Sequence, residues 1–505
     1  MNLEPISQFD EVYVISDLHM GGETTARQIF DQGPLLAAWI ASLTTKKNAD
    51  KDIALVINGD MVDFLAEEGA THFDPAGAVR KLERIVGDAS FKPVWNALQD
   101  FVSKPRRQLI VTMGNHDLEL SLPWVRDSLL KILSKDDDAA RGRITLQLDG
   151  RGFRCRVGGS TVYCVHGNDV DPWNLTDYEH LRRLGRDLWQ GLDVEPWIPN
   201  AGTQLVIDVM NAVKRKFPFV DLLKPETDAV IPVLAALDPS QVNLQNLDKA
   251  IGVAKRLTWD KVKRRLGFLA IDPKDSEQGS AAASPKPGAM LAEVLRQSFG
   301  PRATSASVNQ QCEIVEQLLS NAHKALKGDS QTSVGQSSED FLGKWSAITS
   351  FFQSKSKAEV LRSYLDGLKK DQSFEIGHPD ETFERTDDIV STEFDFVITG
   401  HTHQEKALRR RHGGMYYNSG TWVRLIQLED EVLDSETEFA KAFKAFSQGS
   451  MIKLDECDDP KLVIRKPAVV SIVDVGGTAK AALNHVADKP NAPSLIVVPG
   501  SEYPR

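Results

Sequence analysis

Leu109-Ile110-Val111-Thr112-Met113-Gly114-Asn115-His116-Asp117 is an apolar run that stops at a glycine and then presents an amide, an imidazole and a carboxylate in succession. Such a run reads as a buried strand, and open α/β sheets carry their chemistry just beyond the carboxyl ends of their strands. Four other segments repeat the pattern. Val12–Ser16 is followed by Asp17 and His19, and Ile53–Gly59 by Asp60 and Asp63. Thr161–Val165 is followed by His166, and Phe394–Gly400 by His401 and His403. Packing alone gives no reason for polar residues at five separate strand ends, so the pattern marks a site.

The chain has 505 residues, enough to bury a sizeable core and to hold more than one structural unit. Its 60 Lys plus Arg against 71 Asp plus Glu leave a formal charge of −11, which gives no general attraction for nucleic acid. Four cysteines in so long a chain argue against a disulfide scaffold and fit a reducing compartment. No basic segment followed by an apolar core opens the sequence, and no apolar run reaches the ~18–20 residues that span a bilayer. The expectation is a cytoplasmic protein with no transmembrane segment, peripheral membrane contact and oligomeric state being left open.

Around the strands, residues 34–40, 76–87, 91–103 and 123–134 read as helices. Residues 143–148 and 153–157 read as two strands joined by a hairpin turn at Asp149-Gly150-Arg151-Gly152. The interval from His166 to His401 is far longer than an ordinary connection, so it holds inserted elements. Helical stretches are expected at 176–189, 203–216, 245–267, 288–298, 308–326 and 357–369. Ser-, Ala-, Pro- and Gly-rich linkers are expected at 272–288, 299–308 and 328–338. This divides the chain into a first core segment (1–169), a mainly helical insertion or cap (170–390), and a second core segment with a C-terminal extension (391–505). His412-Gly413-Gly414 reads as a hairpin turn, 432–448 as a short helix, and the apolar runs 468–474 and 494–498 as the completion of a second sheet or an interface.

Collected at one end of a sheet, the strand-end groups form a binuclear metal centre. Asp17, His19, Asp60 and His403 supply one metal, and Asp60, Asn115, His166 and His401 the other. A bridging carboxylate lets two cations approach to ~3.5–4 Å, where they share a nucleophile and clamp a phosphate. The mixed nitrogen and oxygen ligands fit two divalent ions of the Mn, Fe, Zn or Co type, with Mn2+ favoured over Mg2+. Asp63 taken alone is an ordinary cap. Beside this centre it accepts a proton from His116 and fixes its tautomer, which leaves His116 near the metals facing the leaving group.

Asp17-Leu18-His19, Gly59-Asp60-Met61-Val62-Asp63, Gly114-Asn115-His116-Asp117, His166-Gly167 and Gly400-His401-Thr402-His403 resemble the five ordered blocks of the calcineurin-like metallophosphoesterase superfamily. The resemblance implies an α/β fold, a four-layer α/β/β/α sandwich of two mixed sheets, with the metal assignments above. It also implies a catalytic His116 near the scissile phosphate, assisted by Asp63, and a supporting role for Asp117. Asn418 and Gly420 resemble the strand and turn that follow the histidine pair.

The reaction expected from this set is hydrolysis of a phosphoester, a phosphodiester or pyrophosphate foremost, by a hydroxide that the metal pair activates. Asp63 is followed by Phe64-Leu65 where protein phosphatases of the superfamily carry Arg-Gly. His116 stands where lipid A precursor pyrophosphatases commonly carry arginine. A DNA or RNA nuclease of the same superfamily is the alternative, with Lys255, Arg256, Lys261, Lys263, Arg264 and Arg265 as a basic helical patch. Lys214–Val220 and Val262–Leu269 place bases beside apolar residues, as an interfacial segment or a docked helix does. A non-catalytic metal-binding interaction or scaffolding protein is the reading outside enzymology.

Overall fold

The computed structural model describes residues 6–45, 48–171, 174–200, 374–426, 430–489 and 493–504, with short stretches between 203 and 222 and between 356 and 362. Two compact units divide the chain: Met1–Thr203, Asp371–Leu425 and Val463–Arg505 in the first, Gln204–Lys370 and Ile426–Leu462 in the second. Residues 170–203 and 371–390 thus group with the sheets, and 426–462 with the second unit.

In chain order the first unit contains β1 (Gln8–Phe9), β2 (Glu11–Ile15), α1 (Gly33–Ser42), β3 (Ile53–Asn58), α2 (Ala78–Gly87), α3 (Lys92–Ser103), β4 (Arg107–Thr112), α4 (Pro123–Ser134) and β5 (Ile144–Gln147). After these come β6 (Phe153–Val157), β7 (Ser160–Cys164), α5 (Tyr178–Trp189), α6 (Glu381–Ile389), β8 (Phe396–Thr399), β9 (Glu405–Arg409) and β10 (Met415–Ser419). The last three strands are β11 (Ala468–Val475), β12 (Thr478–Ala487) and β13 (Ser494–Val497). Pro34, Pro93 and Pro123 open α1, α3 and α4, where a missing N–H costs nothing.

A seven-stranded sheet has the order β13-β12-β11-β2-β3-β4-β5. Its strands β2 to β5 are parallel, and β11 to β13 extend it antiparallel from β2. The tail runs near 470 and 495 therefore complete the sheet that holds the first strands. A six-stranded sheet has the order β1-β6-β7-β8-β10-β9 and mixes parallel with antiparallel pairs.

Side-chain alternation explains how the sheets stack. Val12, Val14, Ala54, Val56 and Ile110 of the first sheet share one buried core with Cys155, Val162, Phe396, Ile398 and Tyr417 of the second. Tyr13, between Val12 and Val14, faces the other way and meets the Trp39 ring of α1 edge-on at 5.9 Å. On the second sheet's outer face Phe383 of α6 packs with Val397, Leu408 and Tyr416. The result is two sheets flanked by helices. Cys155 and Cys164 are free thiols inside the shared core.

The expected hairpin at 149–152 does not form. Strand β5 joins β4 in the first sheet, while β6 pairs with β7 in the second. Locally the two arrangements look alike, two short strands around a glycine turn. Gly152, at φ 67°, passes so close to the second sheet that a Cβ there would lie 2.5 Å from the Cys164 carbonyl. That turn carries the chain between sheets. The hairpin expected at His412-Gly413-Gly414 does form, between β9 and β10.

In the second unit the stretch expected as one helix at 432–448 is split into Asp430–Asp434 and Glu436–Ser447, because Ser435 caps the second piece by accepting from the Glu438 N–H at 3.2 Å. Phe219 is buried and meets the Phe446 ring at 4.8 Å, so part of the 214–220 segment is docked within its own unit. The expected elements at 245–267, 288–298 and 308–326, most of 357–369, all the linkers, and the basic stretch 255–269 lie outside the described residues. No described helix is long and apolar enough to cross a membrane.

Candidate metal centre

The carboxyl ends of β2, β3, β4, β7 and β8 converge, and their loops bring the expected residues together. Asp17, His19, Asp60, His401 and His403 all adopt positive φ, between 45° and 73°. Non-glycine residues avoid that region unless the surroundings hold them there, and such strain concentrates at functional sites. Five of the eight non-glycine residues with positive φ among those described are these five. Glycines make the close approach possible. A Cβ on Gly114 would lie 2.1 Å from Asp60 Oδ1, and one on Gly59 would lie 2.3 Å from His166 Nδ1.

Asp60 is the hub. Its Oδ1 accepts from the His116 backbone N–H at 2.9 Å, and its Oδ2 lies 3.1 Å from His166 Nε2 and 3.6 Å from His19 Nε2. Burial would raise its pKa, but the neighbouring His166 and His116 hold it well below the usual carboxylate range. His166 donates through Nδ1 to the Asn58 carbonyl at 2.8 Å, which turns Nε2 toward Asp60. Burial lowers His166, yet the Asp60 carboxylate overrides it and raises the imidazole to about 10.

On the adjoining side His19 Nε2 and His403 Nε2 are 3.0 Å apart, and His403 Nε2 lies 3.4 Å from Asp17 Oδ1. Asp17 Oδ2 accepts from the His401 N–H at 3.0 Å, while Oδ1 is buried with no hydrogen bond. Asn115 Oδ1 is likewise buried and unsatisfied. Leaving such oxygens bare costs folding free energy, and it fits donors meant for a cation.

The two carboxylate oxygens of Asp63 face different partners. Oδ1 caps a short turn by accepting from Leu65 and Ala66 N–H groups, each at 3.0 Å. Oδ2 sits 3.2 Å from His116 Nδ1 and 3.2 Å from His19 Nδ1. Asp117 braces the loops, accepting from the backbone N–H groups of Gly114 at 2.7 Å and Met61 at 2.9 Å. Burial, reinforced by the charge on Asp60, pushes its carboxyl up to about 8. Asn418 donates to the Gly400 carbonyl at 2.7 Å, and Thr421 Oγ1 to the Asp17 carbonyl at 2.8 Å, so the end of β10 and the turn after it hold the last and the first ligand loops.

Three overlapping groups place one ligand atom per residue within 4.8 Å of one another: Asp17, His19 and His403; His19, Asp60 and His116; Asp17, Asp60 and His166. His401 belongs to none of them. Its ring lies 5.4 Å from that of His166, and its Nε2 is turned to Asp171 Oδ2 at 2.9 Å. Asp171 and its neighbour Asn174 carry no strand-end signature. Their only sequence signal is that they follow His166 closely.

A two-sheet sandwich whose strand ends gather aspartates and histidines into overlapping candidate metal sites is consistent with metal-dependent phosphoester hydrolysis. The family model for the calcineurin-like phosphoesterases matches residues 11–221, and that span belongs to the calcineurin-like metallophosphoesterase superfamily. The match ends before His401 and His403, which the fold adds to the site. No curated protein and no solved structure matches the chain.

Proposed function

We propose that this chain hydrolyses a phosphoryl group bearing two substituents, a phosphodiester or a pyrophosphate. Asp17, His19, Asp60 and His403 would hold one divalent cation and Asp60, Asn115, His166 and His401 the other, with Mn2+ favoured by the mixed imidazole and oxygen donors. The carrying observation is the position of Asp60 Oδ2, within 3.6 Å of histidines from both ligand sets. When bound, such a pair of cations supplies Lewis acidity toward phosphoryl oxygens and a nucleophile drawn from water.

The chain's own residues supply the proton chemistry. His116 is the least buried imidazole of the cluster, with 17 % of its side chain exposed at the mouth. Asp63, held ionised by the neighbouring His116 and His19 against its burial, engages Nδ1 of His116. In the imidazolium form, with Nδ1–H directed at Asp63, Nε2 carries the proton that passes to the departing oxygen. Beside His403 lies a narrow recess lined by Phe374, Gln404, Glu405, Thr421, Leu425 and Lys466. There the Lys466 ammonium lies 5.5 Å from the Phe374 ring centroid.

The test uses metal-stripped protein reconstituted with Mn2+, given bis(p-nitrophenyl) phosphate, p-nitrophenyl phosphate and a dinucleoside pyrophosphate. Turnover of a doubly substituted substrate should exceed that of the monoester. His116→Ala should lower kcat by about 10²–10⁴-fold while both metals stay bound. Preference for the monoester, or two bound metals with no hydrolysis of any of the three, overturns the proposal.

A further inference from the structure

Beyond the strand-end residues, the turn that follows His166 adds a carboxylate and an amide to the same end of the sheets. Asp171 Oδ2 receives the His401 Nε2 contact at 2.9 Å and also accepts from Asn174 Nδ2 at 2.7 Å. Asn174 Oδ1 in turn faces Asn115 Nδ2 at 3.5 Å. A continuous polar chain therefore runs from Asn115 through Asn174 and Asp171 to His401.

The turn is well anchored. Buried Asn168 donates to the Asn174 carbonyl at 3.1 Å and contacts Thr176 Oγ1 at 3.2 Å, while Arg385 of α6 donates to the Val170 carbonyl at 2.6 Å.

We infer that Asp171 and Asn174 brace two metal ligands and select which atom of each faces the cation. An imidazole has one N–H and one lone pair when neutral, so donation from His401 Nε2 to Asp171 leaves Nδ1 as the ligating nitrogen. The side-chain amide of Asn115 works the same way. With Nδ2 turned to Asn174, the unsatisfied Oδ1 is the atom left for the centre. Both braced residues fall in one ligand set of the proposed pair, Asp60, Asn115, His166 and His401. The inference rests on that assignment and adds a consequence: the two cation positions depend on different supports.

Outer partners of metal ligands typically contribute 10–100-fold in affinity. The experiment titrates full-length, metal-stripped wild type, Asp171→Asn, Asp171→Ala and Asn174→Ala with Mn2+, reading bound metal by mass spectrometry and spin coupling by electron paramagnetic resonance. Wild type should bind two Mn2+ with an exchange-coupled spectrum. Asp171→Ala should keep one ion at wild-type affinity, weaken the other by about 10–100-fold and give a mononuclear spectrum. Asp171→Asn, which keeps one acceptor, and Asn174→Ala should fall between, and Asn174→Ala carries the test if Asp171→Ala does not fold. Two ions at unchanged affinity, or equal weakening of both, overturns the brace while leaving the proposed function standing. Wild type that binds fewer than two ions overturns the metal assignment itself.

Discussion

Four parallel strands of the seven-stranded sheet come from residues 11–147, laid down in sequence order with helices between them, whereas the six-stranded sheet is gathered from segments as far apart as residues 8 and 419. The difference carries into the site. The carboxylates Asp17 and Asp60 and the amide Asn115 leave strands of the first sheet, while His166, His401 and His403 leave strands of the second. Only His19 crosses that division. Neither sheet therefore holds a complete ligand set. The centre exists only where the two are packed on their shared core, and its chemistry is tied to the integrity of the whole sandwich.

The most damaging way to break this arrangement is at Asp60, the carboxylate shared by both proposed ligand sets. Asp60→Ala removes the oxygens 3.1 Å from His166 and 3.6 Å from His19, and with them the acceptor for the His116 N–H. We expect metal content after Mn2+ reconstitution to fall below one ion per chain and phosphoester turnover to fall to background. Two ions retained in Asp60→Ala would show that the two cation sites do not share this carboxylate.

A smaller effect, confined to the second sheet, is expected at Asp387. This carboxylate on α6 accepts from Arg410 Nε at 2.8 Å, both side chains being essentially inaccessible, and Arg410 also donates to the Phe394 carbonyl at 2.6 Å. Removing one partner of a buried pair leaves the other charge uncompensated, at a cost of about 3–5 kcal/mol. Asp387→Ala should lower unfolding free energy by that order in urea titration. If the sheets unfold as one cooperative structure, loss of metal binding and loss of secondary structure will share a midpoint. Separate midpoints would show the second sheet coming away first.

The two sheets were also unequally readable. Parallel strands buried on both faces appear as continuous apolar runs, so Val12–Ile15, Ile53–Ile57 and Leu109–Val111 stand out, and the residues after them declare the site. The second sheet depends on contacts that sequence spacing does not encode. Nothing local to 149–152 distinguishes a hairpin from a passage between sheets, and Arg410 meets Asp387 only after α6 docks. Asp171 escaped notice for a related reason. Its role comes from proximity to His401, 230 positions away, and not from any motif around it. Asp63 was legible as a cap and as a histidine partner, and its two oxygens divide those tasks.

The outer layer of the first sheet offers the mildest comparison, because it buries a carboxylate without a direct cationic partner. Glu119, three residues past His116, accepts from the Asp74 N–H at 3.1 Å, while Lys81 Nζ is committed to Asp74 Oδ2 at 2.8 Å. Burial raises Glu119 to about 7 despite that hydrogen bond and the nearby Lys81. A carboxyl raised above its unfolded value near 4.5 binds its proton more tightly in the folded chain. Its contribution is complete below that value and is lost as pH rises through about 7. For a group this buried the loss is on the order of 1–3 kcal/mol. Glu119→Gln keeps the neutral shape at every pH, so in chelator the variant should match wild type at pH 4 and exceed it in unfolding free energy at pH 8. A difference that stays flat across that window would mean that Glu119 finds compensation as complete as Arg410 gives Asp387. The two outer layers would then handle buried charge alike.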